Sequence, residues 1–101
     1  MLYKIVRIKH SGTCGERGTD RIDGRYPLRI DRVVKLGRIE IGYPLIIQYV
    51  RDSDGTSMRF SLLKTSCVKN YIIIDDLEGI VKYITIKTEN SIFEFVRVDD
   101  E

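Results

Sequence analysis

The run IVKYITIK (residues 80–87), the polar TENS (residues 88–91) and the run IFEFVRV (residues 92–98) decide the fold class. Both flanking runs are rich in β-branched and aromatic residues, and a short polar break joins them, which is the pattern of a β-hairpin. In the second run Phe93 and Phe95 share one face, and Ile92, Glu94 and Val96 share the other. Thr88 and Ser91 can hydrogen-bond the turn backbone, and Asn90 tolerates left-handed backbone angles. The chain is therefore expected to be all-β.

Working back from the hairpin, Val68–Ile74 reads as a strand, ended by Asp75-Asp76-Leu77-Glu78-Gly79. Lys64-Thr65-Ser66-Cys67 reads as a brief connector before it. Ser57–Lys64 alternates, with Met58, Phe60 and Leu62 on one face and Ser57, Arg59 and Ser61 on the other. Asp52-Ser53-Asp54-Gly55 is a turn in which Gly55 can take a positive φ without steric cost. Leu45–Arg51 is apolar at both parities over most of its length, which predicts a central strand covered on both faces. Val33–Leu36 is a short strand closed by Gly37, with Arg38–Gly42 as a possible extension after a bend. Leu2–Lys9 is the first strand. Between them lies a long loop from Ser11 to Asp31, where Pro27 argues against a helix. Loops of this length inside small domains are usually functional or mobile.

A first strand, one long loop, a short strand and a tight meander together resemble a Src-homology-3-like barrel. The C-terminal hairpin would then be an addition to it. An oligonucleotide/oligosaccharide-binding barrel is the runner-up, but that fold usually needs a helix between its third and fourth strands, and the sequence offers none. The predicted core is Val6, Ile8, Leu36, Ile46, Met58, Phe60, Leu62, Ile73, Ile84, Phe93 and Phe95.

The chain has 101 residues, of which 43% are apolar, enough for one modest core. The expected organisation is one β-barrel domain over residues 1–98 and a frayed acidic tail at 99–101. No apolar run approaches the ~20 residues of a membrane-spanning helix, and the start is too charged for a signal peptide. Two cysteines, Cys14 and Cys67, are fewer than the disulfide framework of a small secreted domain. A cytoplasmic location with no membrane partner is the expectation.

Net charge is +2, but unevenly placed: residues 1–38 hold ten Lys/Arg against four acids, and residues 39–101 hold seven against eleven. Arg17, Arg21, Arg25, Arg29, Arg32, Lys35 and Arg38, with Tyr26 among them, form a basic stretch. An extended loop could turn these guanidinium groups toward phosphates, with Tyr26 and Tyr43 as stacking surfaces. The interleaved acids support the plainer reading of a solvated, salt-bridged loop, and a pI near 8.6 lies below the range of dedicated nucleic-acid binders.

Catalytic and metal constellations are incomplete. Zinc wants four closely spaced ligands, whereas His10 is the single histidine and no Cys-x-x-Cys occurs. Cys14 lies near Arg17, which would favour a thiolate, but a nucleophile also needs a positioned base, and His10 is the one histidine available. The glycines of the long loop match no phosphate-cradling motif. Asp52-x-Asp54 and Asp75-Asp76 are explained by turn chemistry, and no cofactor is implied.

Gly42-Tyr43-Pro44-Leu45, Lys64-Thr65-Ser66-Cys67-Val68 and Thr88-Glu89-Asn90-Ser91-Ile92-Phe93, with the Ser11–Gly15 loop, resemble a family of small bacterial proteins of Gram-positive genomes, phages and mobile elements. That family has no assigned activity, so the resemblance carries over no catalytic residues. It implies a compact β-barrel with an accessory role in the life cycle of such an element. The functional expectation is a non-catalytic interaction module that holds a protein partner or self-associates through unpaired strand edges. The alternative is a small nucleic-acid-binding accessory protein using residues 17–38.

Overall fold

The computed structural model describes residues 2–13, 15–58 and 61–98. Six strands follow one another: β1 (Leu2–His10), β2 (Val33–Leu36), β3 (Pro44–Arg51), β4 (Leu62–Asp75), β5 (Val81–Thr88) and β6 (Ser91–Val98). Each pairs antiparallel with its sequence neighbour, and β6 returns to β1, so the sheet closes into a ring. Among the described residues no helix is long and apolar enough to cross a membrane.

The C-terminal hairpin is not an appendage. β5 pairs with β4 and β6 pairs with β1, so these two strands complete the ring. Its turn is held by reciprocal bonds: the Ser91 N–H donates to Thr88 Oγ1 and the Thr88 hydroxyl to the Ser91 carbonyl, both at 3.1 Å. Asn90 needs no left-handed backbone here, because Asp31 (φ 69°) is the one non-glycine residue with positive φ among those described. At the other sharp turn Gly55 does use φ 90°, and its N–H donates to the Asp52 carbonyl.

The core lies inside the ring. Ile84 and Ile86 of β5 face Phe95 and Phe93 of β6, and these in turn face Ile5 and Ile8 of β1. The two phenylalanine rings stack with centroids 6.1 Å apart. Val34, Leu45, Ile47, Tyr49 and Val68 complete the buried set with Tyr3. Truncating Phe95 to Ala would cost about 3–5 kcal/mol, the usual cost of emptying a buried aromatic site.

Three predicted core residues point outward instead, each for a local cause, and a fourth, Ile73, faces inward without being covered. A bulge between Ile5 and Arg7 inserts Val6 as an extra residue, so Ile5 and Ile8 both face inward while Val6 turns to solvent. In β3 the odd positions Leu45, Ile47 and Tyr49 are buried, which exposes Ile46 and Gln48 and leaves this strand covered on one face only. Leu62 is exposed because the alternation of Ser57–Lys64 does not belong to one strand. Ser57 makes only an isolated bridge to Arg51, and β4 begins at Leu62. Ile73 is on the inward face, opposite Ile84, yet 43% exposed. Leu36 and Met58 are partly buried against the core, and Phe60 lies outside the described residues, as does the expected tail at 99–101.

The predicted connector at Lys64–Cys67 is continuous strand, part of a β4 fourteen residues long. Cys67 is half-buried within it rather than fully buried. Arg38–Gly42 forms no strand, although Ile39 packs against the core. Pro27 does not prevent a helical turn: Tyr26–Arg29 is a single 3-10 turn with the proline in its first positions, where a missing N–H costs nothing.

Candidate functional site

Two surfaces have functional chemistry: the arginine-rich segment before β2 and the far half of β4. The first starts at the long loop. It folds back so that the His10 N–H donates to the Thr19 carbonyl (2.8 Å) and the Arg21 N–H to the Ile8 carbonyl (2.9 Å), with a bridge from Lys9 to Asp20. The loop thereby runs as a short extra strand along the end of β1 that β2 does not reach.

Arg21 pins this arrangement. It is 8% exposed, and its guanidinium makes two bonds to the Asp23 carboxylate (3.1 and 2.6 Å). It also donates to the Ser91 hydroxyl (2.8 Å) and the Asn90 carbonyl (3.3 Å), and lies 3.8 Å over the Tyr26 ring. Arg21 therefore ties the loop to the β5–β6 turn and has little surface for an external phosphate. The paired guanidinium holds the Asp23 carboxyl below its ordinary range. Ser11 strengthens the same junction by donating to the Glu89 carbonyl.

The remaining predicted contacts separate. Arg25, Arg29 and Arg32 line one cleft of about 330 Å³ with Tyr49, Ser61 and the apolar Leu28. Arg32 is mostly buried, bonded to Asp52 (3.2 Å) and 4.8 Å over the buried Tyr49 ring. Two backbone and side-chain donors, the Ser53 N–H first and then Arg32, hold the Asp52 carboxyl low. Arg29 also lies over the Tyr26 ring, 4.7 Å from its centroid. Neither Arg25 nor Arg29 has an ion pair among the described residues. Lys35 stands apart on β2 opposite Gln48, Arg38 reaches toward Glu40 at 3.8 Å, and Arg17 borders a different hollow beside Asn70–Ile72. Cys14 lies outside the described residues. His10 is enclosed, with Asp23 at 3.8 Å and Gly15 packed against its ring so closely that a Cβ there would come within 2.8 Å.

The second surface was not legible as a site. The first part of β4 pairs with β3 from Leu62 to Cys67, and its second part pairs with β5 from Val68 to Asp75. Beyond Val68, which exchanges bonds with Tyr43 and Gly42, the other edge of β4 has no strand beside it among the described residues. Every residue from Lys69 to Asp75 is exposed, including Tyr71 (39%), Ile72 (59%), Ile73 (43%) and Ile74 (53%). The Tyr71 N–H donates to Asn70 Oδ1 (2.8 Å), a side chain occupying the place of a neighbouring strand's carbonyl. Because backbone groups alternate along a strand, Ile73 and Asp75 point to that same edge, whereas the Asp76 N–H turns back to the Ile80 carbonyl. The sequence signal was the unbroken Tyr71-Ile72-Ile73-Ile74, which reads equally well as a strand buried on both faces.

Known protein families, curated proteins and solved structures contain no match to the chain.

Proposed function

We propose that the protein is a non-catalytic interaction module whose bare β4 edge receives an extended strand from a protein partner. The observation that carries this is the seven-residue exposed edge, Lys69–Asp75, apolar at its centre. Unpaired N–H and C=O groups on a long apolar edge template a further strand, and proteins that have no use for such an edge break it with charges, proline or bulges. Main-chain bonds would supply affinity, and the side chains of Ile72 and Ile74 on one face and Tyr71 and Ile73 on the other would supply specificity. The closed antiparallel ring also supports the Src-homology-3-like reading, and we propose with it a cytoplasmic accessory role in a bacterial mobile element.

Peptides selected from a random library test this reading. Binders are expected to slow amide exchange within residues 69–75 and to lose affinity in an Ile73→Pro variant, which removes an N–H pointing away from β5. Binders that protect other regions and ignore the proline would contradict it.

A second reading is favoured by one observation: Arg25 and Arg29, beside Tyr26 and the Tyr49 cleft, have no acidic partner among the described residues. Phosphate contact through them, with support from Arg17, Lys35 and Arg38, would give nucleic-acid binding that falls steeply with salt. Titration of labelled DNA and RNA at low and physiological salt tests it. Replacing Arg25 and Arg29 by Ala should flatten the salt dependence, and no binding at low salt would remove this reading.

A further inference from the structure

Resting on the edge reading above, we infer that the strand received by β4 is the same segment of a second copy, paired antiparallel about a two-fold axis at Ile72. A two-fold interface needs a self-complementary surface. The bare segment is one: it opens on Lys69 and closes on Asp75, with Ile72 at its midpoint.

Lys69 is the extra residue of a bulge between Val68 and Asn70; counted from Ile72, it lies across from Asp75 of the second copy at both ends. Asn70 meets Ile74, Tyr71 meets Ile73, and Ile72 meets its own counterpart. Opposite-charge pairs directly across a ladder stabilise it, and like charges there oppose it. Other axes lose this match. Centred on Ile73, Lys69 would face Leu77 in the β4–β5 turn. Centred on Tyr71, Asp75 would face Cys67, whose place is already beside Pro44 of β3. An axis between residues would set edge-facing backbone groups against groups turned toward β5, which an antiparallel ladder does not permit.

The side chains agree with the backbone. Ile72 and Ile74 lie on the outward face opposite Thr85 and Tyr83, and pairing would cover Ile72 against its counterpart and Ile74 against Asn70 of the second copy. Tyr71 would exchange its bond to Asn70 for the Ile73 carbonyl of the second copy. Among the described residues Lys69 pairs only with Glu89, at 3.7 Å, with both side chains about half exposed, so it is available to a carboxylate across the axis.

The test is the molar mass of the full chain in solution over a concentration series, by sedimentation, for wild type, Lys69→Asp, Asp75→Lys and the double swap. Wild type is expected to dimerise. Each single reversal sets like charges together at both ends and should weaken dimerisation about tenfold or more. The double swap restores opposite charges and should recover wild-type association. Oxidised Ile72→Cys should form a covalent dimer across the axis, where the two Cα atoms would be within disulfide reach, while Ile74→Cys should not.

A dimer whose double swap stays as weak as the single reversals, and whose Ile72→Cys chains do not cross-link, overturns the proposal. So does a wild-type chain that stays monomeric at every concentration. If that monomer still takes selected peptides along residues 69–75, self-pairing fails and the edge reading stands. If it takes none there, both fail.

Discussion

The two strand ends that outrun their neighbours in the ring are treated in opposite ways. β2 reaches only Tyr3 and Lys4 of β1, and β3 reaches only as far as Cys67 of β4. At β1 the exposed edge is sealed by the loop around Thr19–Arg21, and the strand there carries Arg7, Lys9 and His10. At β4 the edge is bare, and the strand there carries Tyr71, Ile72, Ile73 and Ile74. A charged edge needs little protection from stray pairing yet has been covered, whereas an apolar edge that invites pairing has been left open. On the proposed reading, covering at β1 serves stability and openness at β4 serves association.

The largest effect should come from breaking the cover. Arg21→Ala removes two bonds to Asp23 and leaves the buried Ser91 hydroxyl without its guanidinium donor. A loss of about 2–3 kcal/mol is expected in chemical denaturation, the range for charged hydrogen bonds with a buried partner left behind. Arg25→Ala, four residues on and without such partners, should stay within about 0.5 kcal/mol of wild type. Equal losses in the two variants would mean that the loop is not a cover.

Next in size is Ile72→Lys. It sets two like charges against each other at the proposed axis, so the dimer should disappear from a sedimentation profile. Because Ile72 is 59% exposed, the monomer should keep its stability to within about 1 kcal/mol. A variant that dimerises like wild type would remove β4 as the interface.

The smallest effect is in pH. Asp23 and Asp52 have folded-state pKa values below their ordinary range, so the folded chain binds fewer protons than the unfolded one as acid is added. Their contribution is present above the unfolded carboxylate value and is lost as pH falls through the folded value. The thermal midpoint should therefore decline below about pH 4, the ordinary carboxylate range, and Asp23→Asn should make that decline shallower. A midpoint that does not fall on acidification would contradict the role of these pairs.

Most of the strands were legible because their signals are local. Val33–Leu36 and the two runs flanking Thr88–Ser91 alternate or carry β-branched residues up to clear turn signals, and the structure follows them within a residue or two. What failed depends on register. The bulge at Val6 changes which side chains of β1 face inward, and its one trace in Leu2–Lys9 is the switch of apolar residues from odd positions (Tyr3, Ile5) to even ones (Val6, Ile8). β4 runs through Lys64–Cys67 because β3 lies beside it there, a fact of pairing rather than propensity. The basic stretch was visible as composition, but its division between a buried clamp at Arg21, a cleft at Arg25–Arg32 and the separate Lys35 and Arg38 depends on where the loop returns. The bare edge was invisible for the same reason: an unpaired strand and a doubly covered one are written in the same apolar residues.

The most direct measurement of the account is hydrogen exchange at the Ile73 amide as protein concentration rises, with the Ile84 amide of the fully flanked β5 as reference. The account predicts that Ile73 exchange slows with concentration while that of Ile84 does not change. Ile73 exchange that is fast and equal at every concentration would contradict it.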